Sequence, residues 1–493
     1  MFPSPLIRRH PFAAVLALAL FLGLAFQGSR GLLEPDEGRY TNVALQMLHT
    51  GDYISLHRNA EALHFTKPPV TYWAIAGSVA MLGYNEWGAR LPMALAFVLS
   101  VGLVYGLGRR FVPDKPWLPA LIYACSPAPF LATNTVNTDS VLAALETLAM
   151  FCYVQARFRE QPRWWIDAMW AAFGLAFLTK GPPALLPLLA LVAFHFTHRK
   201  PGLSLFRPLG LLGFALIGFG WFAVVIHRHP GLLDYFLGHE VYARIATDKL
   251  RRFPQWYGPL IVYLPTLVLG TLPWLAIVVW KRWGQPFTRW KQLPEDQRFL
   301  WLWFLLPLLI FSLARSRLPL YVLPLFAPVS LLMAGALRDL RWSTLGKILI
   351  VAWVVLLIAV KGIVAQWPSD KDSRRFAELL RPMLPGKPRE FLFVEDMNRN
   401  GLNLYFDADI ERLSFKPMPH PISDSDYDST VIEEFRERGD SHRVFIMKSD
   451  METYFLNDAA RAGVTPVKLG VLAHLSGDSD RERVVYTLKG DFP

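Results

Sequence analysis

"GLLEPDEGRYTN", residues 31–42, puts two adjacent carboxylates, Asp36 and Glu37, a few residues past the first long apolar run, with Arg39 and Tyr40 behind them. Carboxylates can take a proton or hold a nucleophile, and arginine can balance growing negative charge. Other polar groups recur at the ends of apolar runs. Lys67 lies in "HFTKPP", Asp139 in the short turn at 134–139, Lys180 in "LTKGPP", and Arg315, Arg317 and Tyr321 in "ARSRLPLY". The loop at 227–256 adds His227, His229, Asp234, His239, Glu240, Arg244, Asp248, Lys249, Arg251 and Arg252. Arg58, Arg251 and Asp52, taken singly, read as solvated loop charges. Asp139, Lys180 and Tyr321 adjoin hydrocarbon-like sequence, where ionisable groups are costly and usually functional. Together these residues supply a general base beside an anionic leaving group. His227, His229 and His239 match no strong metal spacing.

The elements that must position these groups are apolar. The chain has 493 residues, 53% of them hydrophobic and 18% charged, which indicates membrane segments. A net charge of +11 would suggest nucleic acid for a soluble protein, but the cations sit between apolar runs, and topology accounts for them. Cys125 and Cys152 lie inside such runs and read as packing residues.

Eleven spans are expected, at 11–27, 88–107, 116–133, 138–156, 166–180, 182–198, 207–226, 257–280, 299–314, 318–337 and 344–366. The stretch 70–84, "VTYWAIAGSVAMLGY", is read as a helix lying on the membrane surface. Alternate loops then carry Arg8 and Arg9; Arg109 and Arg110; Arg157, Arg159 and Arg163; Arg199 and Lys200; "KRWGQPFTRWK"; and Arg338, Arg341 and Lys347. These basic loops mark the cytoplasmic side. The opening run lacks a small-x-small cleavage site and is read as an uncleaved anchor. Tryptophans near span ends, among them Trp117, Trp165, Trp256, Trp280, Trp342 and Trp367, suit an interfacial belt.

Residues 1–367 therefore form an α-helical polytopic membrane domain, with the first outer loop at 28–87. Residues 368–493 form a small outer α/β domain. Its strands are expected in "REFLFVED", "NLYFDADI", "RVFIMKS" and "RVVYTLKG". A short amphipathic helix is expected in "SDKDSRRFAELLRPMLPGKP" and another helix near 451–463.

"EPDEGRYTNVALQMLHTGDYI", "HFTKPPVTYW", "NEWGARLP", "NTDS", "LTKGPPAL", "DYFLGHEVYAR" and "SRLPLYVLPLFAPVSLLM" together resemble the bacterial polyprenyl-phosphate-sugar glycosyltransferases. These include the lipid A aminoarabinose transferases and relatives of the protein O-mannosyltransferases. The resemblance runs through about residue 335. It implies a GT-C architecture with a catalytic first outer loop. It carries the catalytic carboxylate onto Asp36, with Arg39 beside it, and the lipid-phosphate contacts onto Lys67 and Arg244. Asp139, His239 and Tyr321 fall on other site positions. The working site set is Asp36, Glu37 and Asp139 for catalysis, Arg39, Lys67, Arg244, Tyr321 and Lys180 for the donor phosphate, and Tyr40 and His239 nearby.

The implied activity is transfer of a sugar from a polyprenyl (undecaprenyl) phosphate donor to a periplasmic acceptor such as lipid A, with inversion, at the bacterial inner membrane. A protein or another envelope glycan is the alternative acceptor. Thr66 stands where the aminoarabinose transferases usually carry Glu, which weakens the case for a divalent metal; no other cofactor is expected. Those transferases also carry about two more spans. Membrane lipids are expected partners and nucleic acid is not. A transporter or flippase should show paired half-repeats and mid-span charges, and neither is read here. A membrane-anchored receptor would leave the loop cluster unexplained.

Overall fold

In the computed structural model every apolar run read as a span is helical. The structure describes residues 10–238, 252–285, 289–419, 422–423, 427–437, 441–473 and 482–492. The chain divides into two compact units, one of Met1–Ala25 with Leu91–Ile363, the other of Phe26–Arg90 with Val364–Pro493.

Among the described residues the regular structure of the first unit is helical. Six helices among the described residues are long and apolar enough to cross a membrane: Glu86–Phe111, Thr138–Phe158, Pro208–Arg228, Glu295–Leu313, Pro319–Leu337 and Thr344–Gln366. The run read as a single span at 257–280 is instead two helices, Gly258–Gly270 and Trp274–Arg282, bent by 87° at Pro273, whose ring cannot continue a helix; taken as one span they make a seventh. The run at 116–133 likewise splits into Trp117–Ala124 and Pro127–Ala132, because Pro127 opens a new helix behind Ser126. Pro11–Leu24 and Pro182–Thr197 are shorter apolar helices. Helix thus stands in each of the eleven stretches expected to span, two of them broken into two helices, but among the described residues only six, or seven with the bent pair, are long and apolar enough to cross. The chain is a multi-pass membrane protein.

Aromatic packing fills the core of this unit. Phe299 contacts Phe111, Phe158, Phe194 and Tyr153 at ring-centroid distances of 5.1 to 6.1 Å. The Trp164–Lys180 and Pro208–Arg228 helices approach closely at Gly174, where a Cβ would lie 3.1 Å from Ile217, so a small residue sets the contact. Of the tryptophans expected at the interface, Trp256, Trp280 and Trp367 are more than 70% exposed, whereas Trp117, Trp165 and Trp342 pack against the helical core.

The second unit carries a six-stranded sheet of β1 (Glu390–Val394), β2 (Asp409–Ser414), β3 (Ser429–Thr430), β4 (Arg443–Lys448), β5 (Pro466–Leu472) and β6 (Arg483–Leu488), in the order β3-β2-β1-β4-β6-β5. The first four run parallel, and β6 is antiparallel to both β4 and β5. Both faces are buried. Phe391 and Phe393 enter one apolar cluster with Phe376, Leu380 and Phe406, while Leu392 and Val394 enter another with Phe435 and Phe455. This is the period-2 alternation of a strand covered on each side.

"NLYFDADI" is not one strand. Asn403–Phe406 is a helical turn, Asp407 takes the left-handed conformation at φ 54°, and β2 begins only at Asp409. Aspartate tolerates that conformation better than most residues, so the run breaks there. The Ser373–Leu380 helix is present, its N-terminus capped by the Asp372 carboxylate, which accepts from the Arg374 and Arg375 amides.

The same unit holds the Asp36–Thr50 and Val70–Leu82 helices. Asn403 Nδ2 donates to Asn42 Oδ1 at 2.6 Å, Gln46 Nε2 donates to Asp409 Oδ1 at 2.6 Å, and Arg58 pairs with Asp428. The segment following the first apolar helix is thereby fastened to the sheet by buried polar contacts.

Candidate active site

Asp36 opens its helix, where a carboxylate suits the positive end of the helix dipole. Its side chain is 54% exposed and accepts from Arg39 Nη2 at 2.6 Å. A carboxylate held by an arginine yet open to solvent can meet a substrate. Glu37, one residue on, is 3% exposed. Its Oε2 accepts from Arg30 Nη1 at 2.5 Å, Arg90 Nη2 at 3.0 Å and the Leu33 amide at 2.8 Å, and its Oε1 accepts from Arg90 Nε at 3.0 Å. Burial works to raise the Glu37 carboxyl, but the charges and hydrogen bonds of Arg90 and Arg30 outweigh it and bring it to about 2. Arg90, 0% exposed, also donates to the carbonyls of Gln27, Arg30 and Gly31. Glu37 is thus the keystone of the turn that presents Asp36.

Glu34 closes the other side of that turn. Its Oε1 accepts from the Ser373 hydroxyl at 2.8 Å and from the Gly401 amide at 2.6 Å. Burial pushes its carboxyl up to about 7 against these bonds and the Arg399 charge, with Glu37 adding to the rise. Two glycines make room for it: a Cβ at Gly38 would lie 2.2 Å from Glu34 Oε1, and one at Gly401 would lie 2.9 Å from the same atom.

Lys67 Nζ donates to the Thr66 carbonyl at 3.1 Å. Next to it, His64 is buried and its Nε2 meets the Thr66 hydroxyl at 2.8 Å. Burial first, then the nearby charges of Arg39, Arg58 and Lys67, hold the His64 imidazole well below its usual range, so it is neutral at pH 7. Its ring stands edge-on to Tyr72 at 6.4 Å, Tyr72 packs on Tyr40 at 5.8 Å, and the Arg39 guanidinium lies 5.5 Å from the Tyr40 ring. Asp36, Arg39, Tyr40 and Lys67 therefore share one polar neighbourhood with three cations around a neutral histidine.

The first unit has a cluster of its own. Asp139 lies in the first turn of the Thr138–Phe158 helix, whose N-terminus is capped by Asn137, and it pairs with Lys180 at the last turn of the Trp164–Lys180 helix. Lys180 Nζ also lies 4.3 Å from the Tyr321 ring centroid. Glu146, two turns along the same helix as Asp139, is 3% exposed and within electrostatic reach of both Lys180 and Asp139. Arg317, by contrast, is spent on the carbonyls of Phe253, Gln255 and Ser312. His239 and Arg244 lie outside the described residues. Among the described residues no three His, Cys, Asp or Glu gather to hold a metal ion. Thr66, at the position where the resemblance implies Glu, bonds His64 instead.

Residues 66–227 match the family described as dolichyl-phosphate-mannose-protein mannosyltransferase. Undecaprenyl phosphate-alpha-4-amino-4-deoxy-L-arabinose arabinosyl transferase 1 of Pseudomonas fluorescens is 32% identical over 390 residues, 77% of this chain and 68% of that protein. The chain belongs to this arabinosyl transferase family. Transferase 2 of the same species is 34% identical over 364 residues, 71% of this chain and 60% of the relative. The chain thus spans between 60% and 68% of the length of these two relatives. The crystal structure of ArnT from Cupriavidus metallidurans bound to undecaprenyl phosphate shares the fold. Its TM-score is 0.74 at 22% identity, over 99% of this chain and 100% of that one.

Several residues of this arabinosyl transferase family member escape a reading by motif. Glu34, Arg30, His64 and Tyr72 look like ordinary loop or helix residues in sequence. Arg90, inside "NEWGARLP", carried a signal: a cation at the head of a long apolar helix must find a buried anion. That anion, Glu37, is 53 positions away.

Proposed function

We propose that the chain is an inverting glycosyltransferase of the bacterial inner membrane. It moves an aminoarabinose-type sugar from undecaprenyl phosphate to a periplasmic acceptor, lipid A in the first instance. The observation that carries this reading is Asp36, open to solvent and paired with Arg39, beside the cations around His64. Family membership supports the donor class, and the exposed carboxylate supports the chemistry.

In this reading the acceptor oxygen attacks the anomeric carbon as the bond to the donor phosphate breaks. The bonding pair leaves with the phosphate, and a single displacement inverts the centre. Lys67, with Arg244, meets the charge that grows on the leaving phosphate, and preorganised cations are worth most where that charge develops. Asp36 takes the proton of a hydroxyl acceptor, or orients an acceptor that is already an anion. Arg39, bonded to one Asp36 oxygen, keeps that carboxylate aimed. The Asp139–Lys180–Tyr321 cluster of the first unit is a separate candidate for substrate contact. The catalytic loop and the sheet-bearing unit are placed on the periplasmic side, where no nucleotide sugar is available and a lipid-borne donor is needed.

The test is mass spectrometry of lipid A and of periplasmic glycoproteins from cells with and without the gene. The reading expects a pentosamine mass on lipid A that disappears with the gene. A mass lost from a glycoprotein or another glycan would move the acceptor, and no change in any glycan would overturn the transferase reading.

A further inference from the structure

The sheet of the second unit has a topological switch point at β1, which has β2 on one side and β4 on the other, both parallel to it. Connections that diverge in this way leave a crevice outside the carboxyl ends of the strands, the usual ligand position of open α/β sheets. Here that end of the sheet carries a shallow pocket lined by Asp370, Arg375, Phe376, Arg399, Leu472 and Arg483, among others. Arg399 follows β1, Leu472 ends β5, and Arg483 opens β6 opposite Lys448, the last residue of β4. The pocket therefore sits where the topology directs a ligand.

Arg399 is a buried cation short of counter-charge. It is 2% exposed, its Nη1 donates to the Asp370 carbonyl at 2.6 Å, and its guanidinium lies 4.1 Å from the Phe376 ring. Its Nε has no hydrogen-bond partner. Of the carboxylates nearby, Asp370 lines the pocket beside it, and the others are engaged elsewhere. Asp396 takes Arg483, Asp372 takes the amides of Gly31, Arg374 and Arg375, and Glu34 takes Ser373 and Gly401. Burial, and then the like charge of Arg483, bring the Arg399 guanidinium down to about 10, although Glu34, Asp396 and Asp370 pull the other way. The buried Arg399 beside the half-buried, Asp396-paired Arg483, with the exposed Arg375 at the rim, makes a place where an anion is favourable.

We propose that this crevice binds a phosphate group, held by Arg399 and Arg483 from the wall and by Arg375 from the rim. Guanidinium groups match the phosphate oxygens by charge and by paired N–H donors, and a group bearing more than one negative charge makes use of several. The same chemistry is offered by a soluble phosphomonoester and by a lipid phosphate headgroup.

The experiment uses the full chain in detergent, with binding of inorganic phosphate measured by calorimetry at constant ionic strength. A Lys67→Ala background separates this site from a donor-phosphate contact. Saturable binding is expected there, weakened about tenfold by Arg375→Ala, the order expected for loss of one charge-assisted contact, and abolished by Arg399→Gln. Arg381→Glu, at an exposed arginine of the same unit outside the pocket, should leave it unchanged. Arg375 is exposed, so its variant reports even if Arg399→Gln fails to fold. Tighter binding of phosphatidate-doped than of phosphatidylcholine micelles would assign the ligand to lipid. Tighter binding of glucose 1-phosphate than of either would assign it to a soluble phosphomonoester. No saturable binding in the Lys67→Ala chain, or binding that Arg375→Ala leaves intact, would overturn the proposal.

Discussion

At Asp36 the carboxylate keeps about half its surface and one arginine partner, while at Glu37 both oxygens are consumed by buried arginines. Two adjacent acids are indistinguishable in sequence as candidate bases. What separates them is Arg90, brought in from the Glu86–Phe111 helix, and nothing local to the two acids announces that. Glu37→Gln leaves Arg30 and Arg90 buried against a neutral amide, which should cost about 3–5 kcal/mol. Thermal melting and membrane yield of the variant check this: both should fall sharply, and parental values would place Glu37 outside the scaffold.

Glu34 gives a pH dependence of opposite sign to that of Glu37. Its carboxyl is raised to about 7 in the folded chain from an ordinary 4.5, so the folded state holds the proton more tightly than the unfolded state does. Stability from this group is fully present below pH 4.5, is lost as pH rises through 7, and then levels off; the total is about 3 kcal/mol. Glu34→Gln mimics the protonated form. It should match the parental melting temperature at pH 5 and exceed it at pH 8. An equal shift at both values would show that Glu34 does not titrate in the folded chain.

The elements were legible where local pattern and tertiary context agree. The apolar runs became helices, and "REFLFVED", "RVFIMKS" and "RVVYTLKG" became central strands because each is apolar on both faces. β5, with Pro466 and an exposed pattern, lies at the sheet edge and lacks that signature. "NLYFDADI" misled because its apolar residues pack from a helical turn before Asp407 reverses the chain. The Asp36–Thr50 helix was read as a loop motif, yet it depends on a glycine. At Gly38 a methyl group would strike the Glu34 carboxylate at 2.2 and 2.4 Å. Gly38→Ala should therefore destabilise by about 1–3 kcal/mol, as overpacking does, despite the better helix propensity of alanine. Melting of the purified variant tests this, and unchanged or raised stability would contradict the cradle around Glu34.

For the whole molecule, the basic loops predict the topology. Reporter fusions at Arg110, Lys200, Gly284 and Ser343 should read cytoplasm, and those at Asn59, Asp139 and Asp450 should read periplasm. A cytoplasmic signal at Asp450 would invert the placement of the sheet-bearing unit. The number of continuous spans was not legible, since the breaks at Ser126 and Pro273 fall inside apolar runs that look uninterrupted by hydropathy. The catalytic proposal rests on Asp36, and the most direct measurement is the rate of sugar transfer from an undecaprenyl phosphate donor by Asp36→Asn, in membranes matched for folded protein. Asparagine keeps the volume and removes the charge and the proton acceptor. With a neutral hydroxyl acceptor the rate should drop by about 10²–10⁴, and with an ionised acceptor by less, through lost orientation. Transfer by Asp36→Asn at the parental rate would contradict the account.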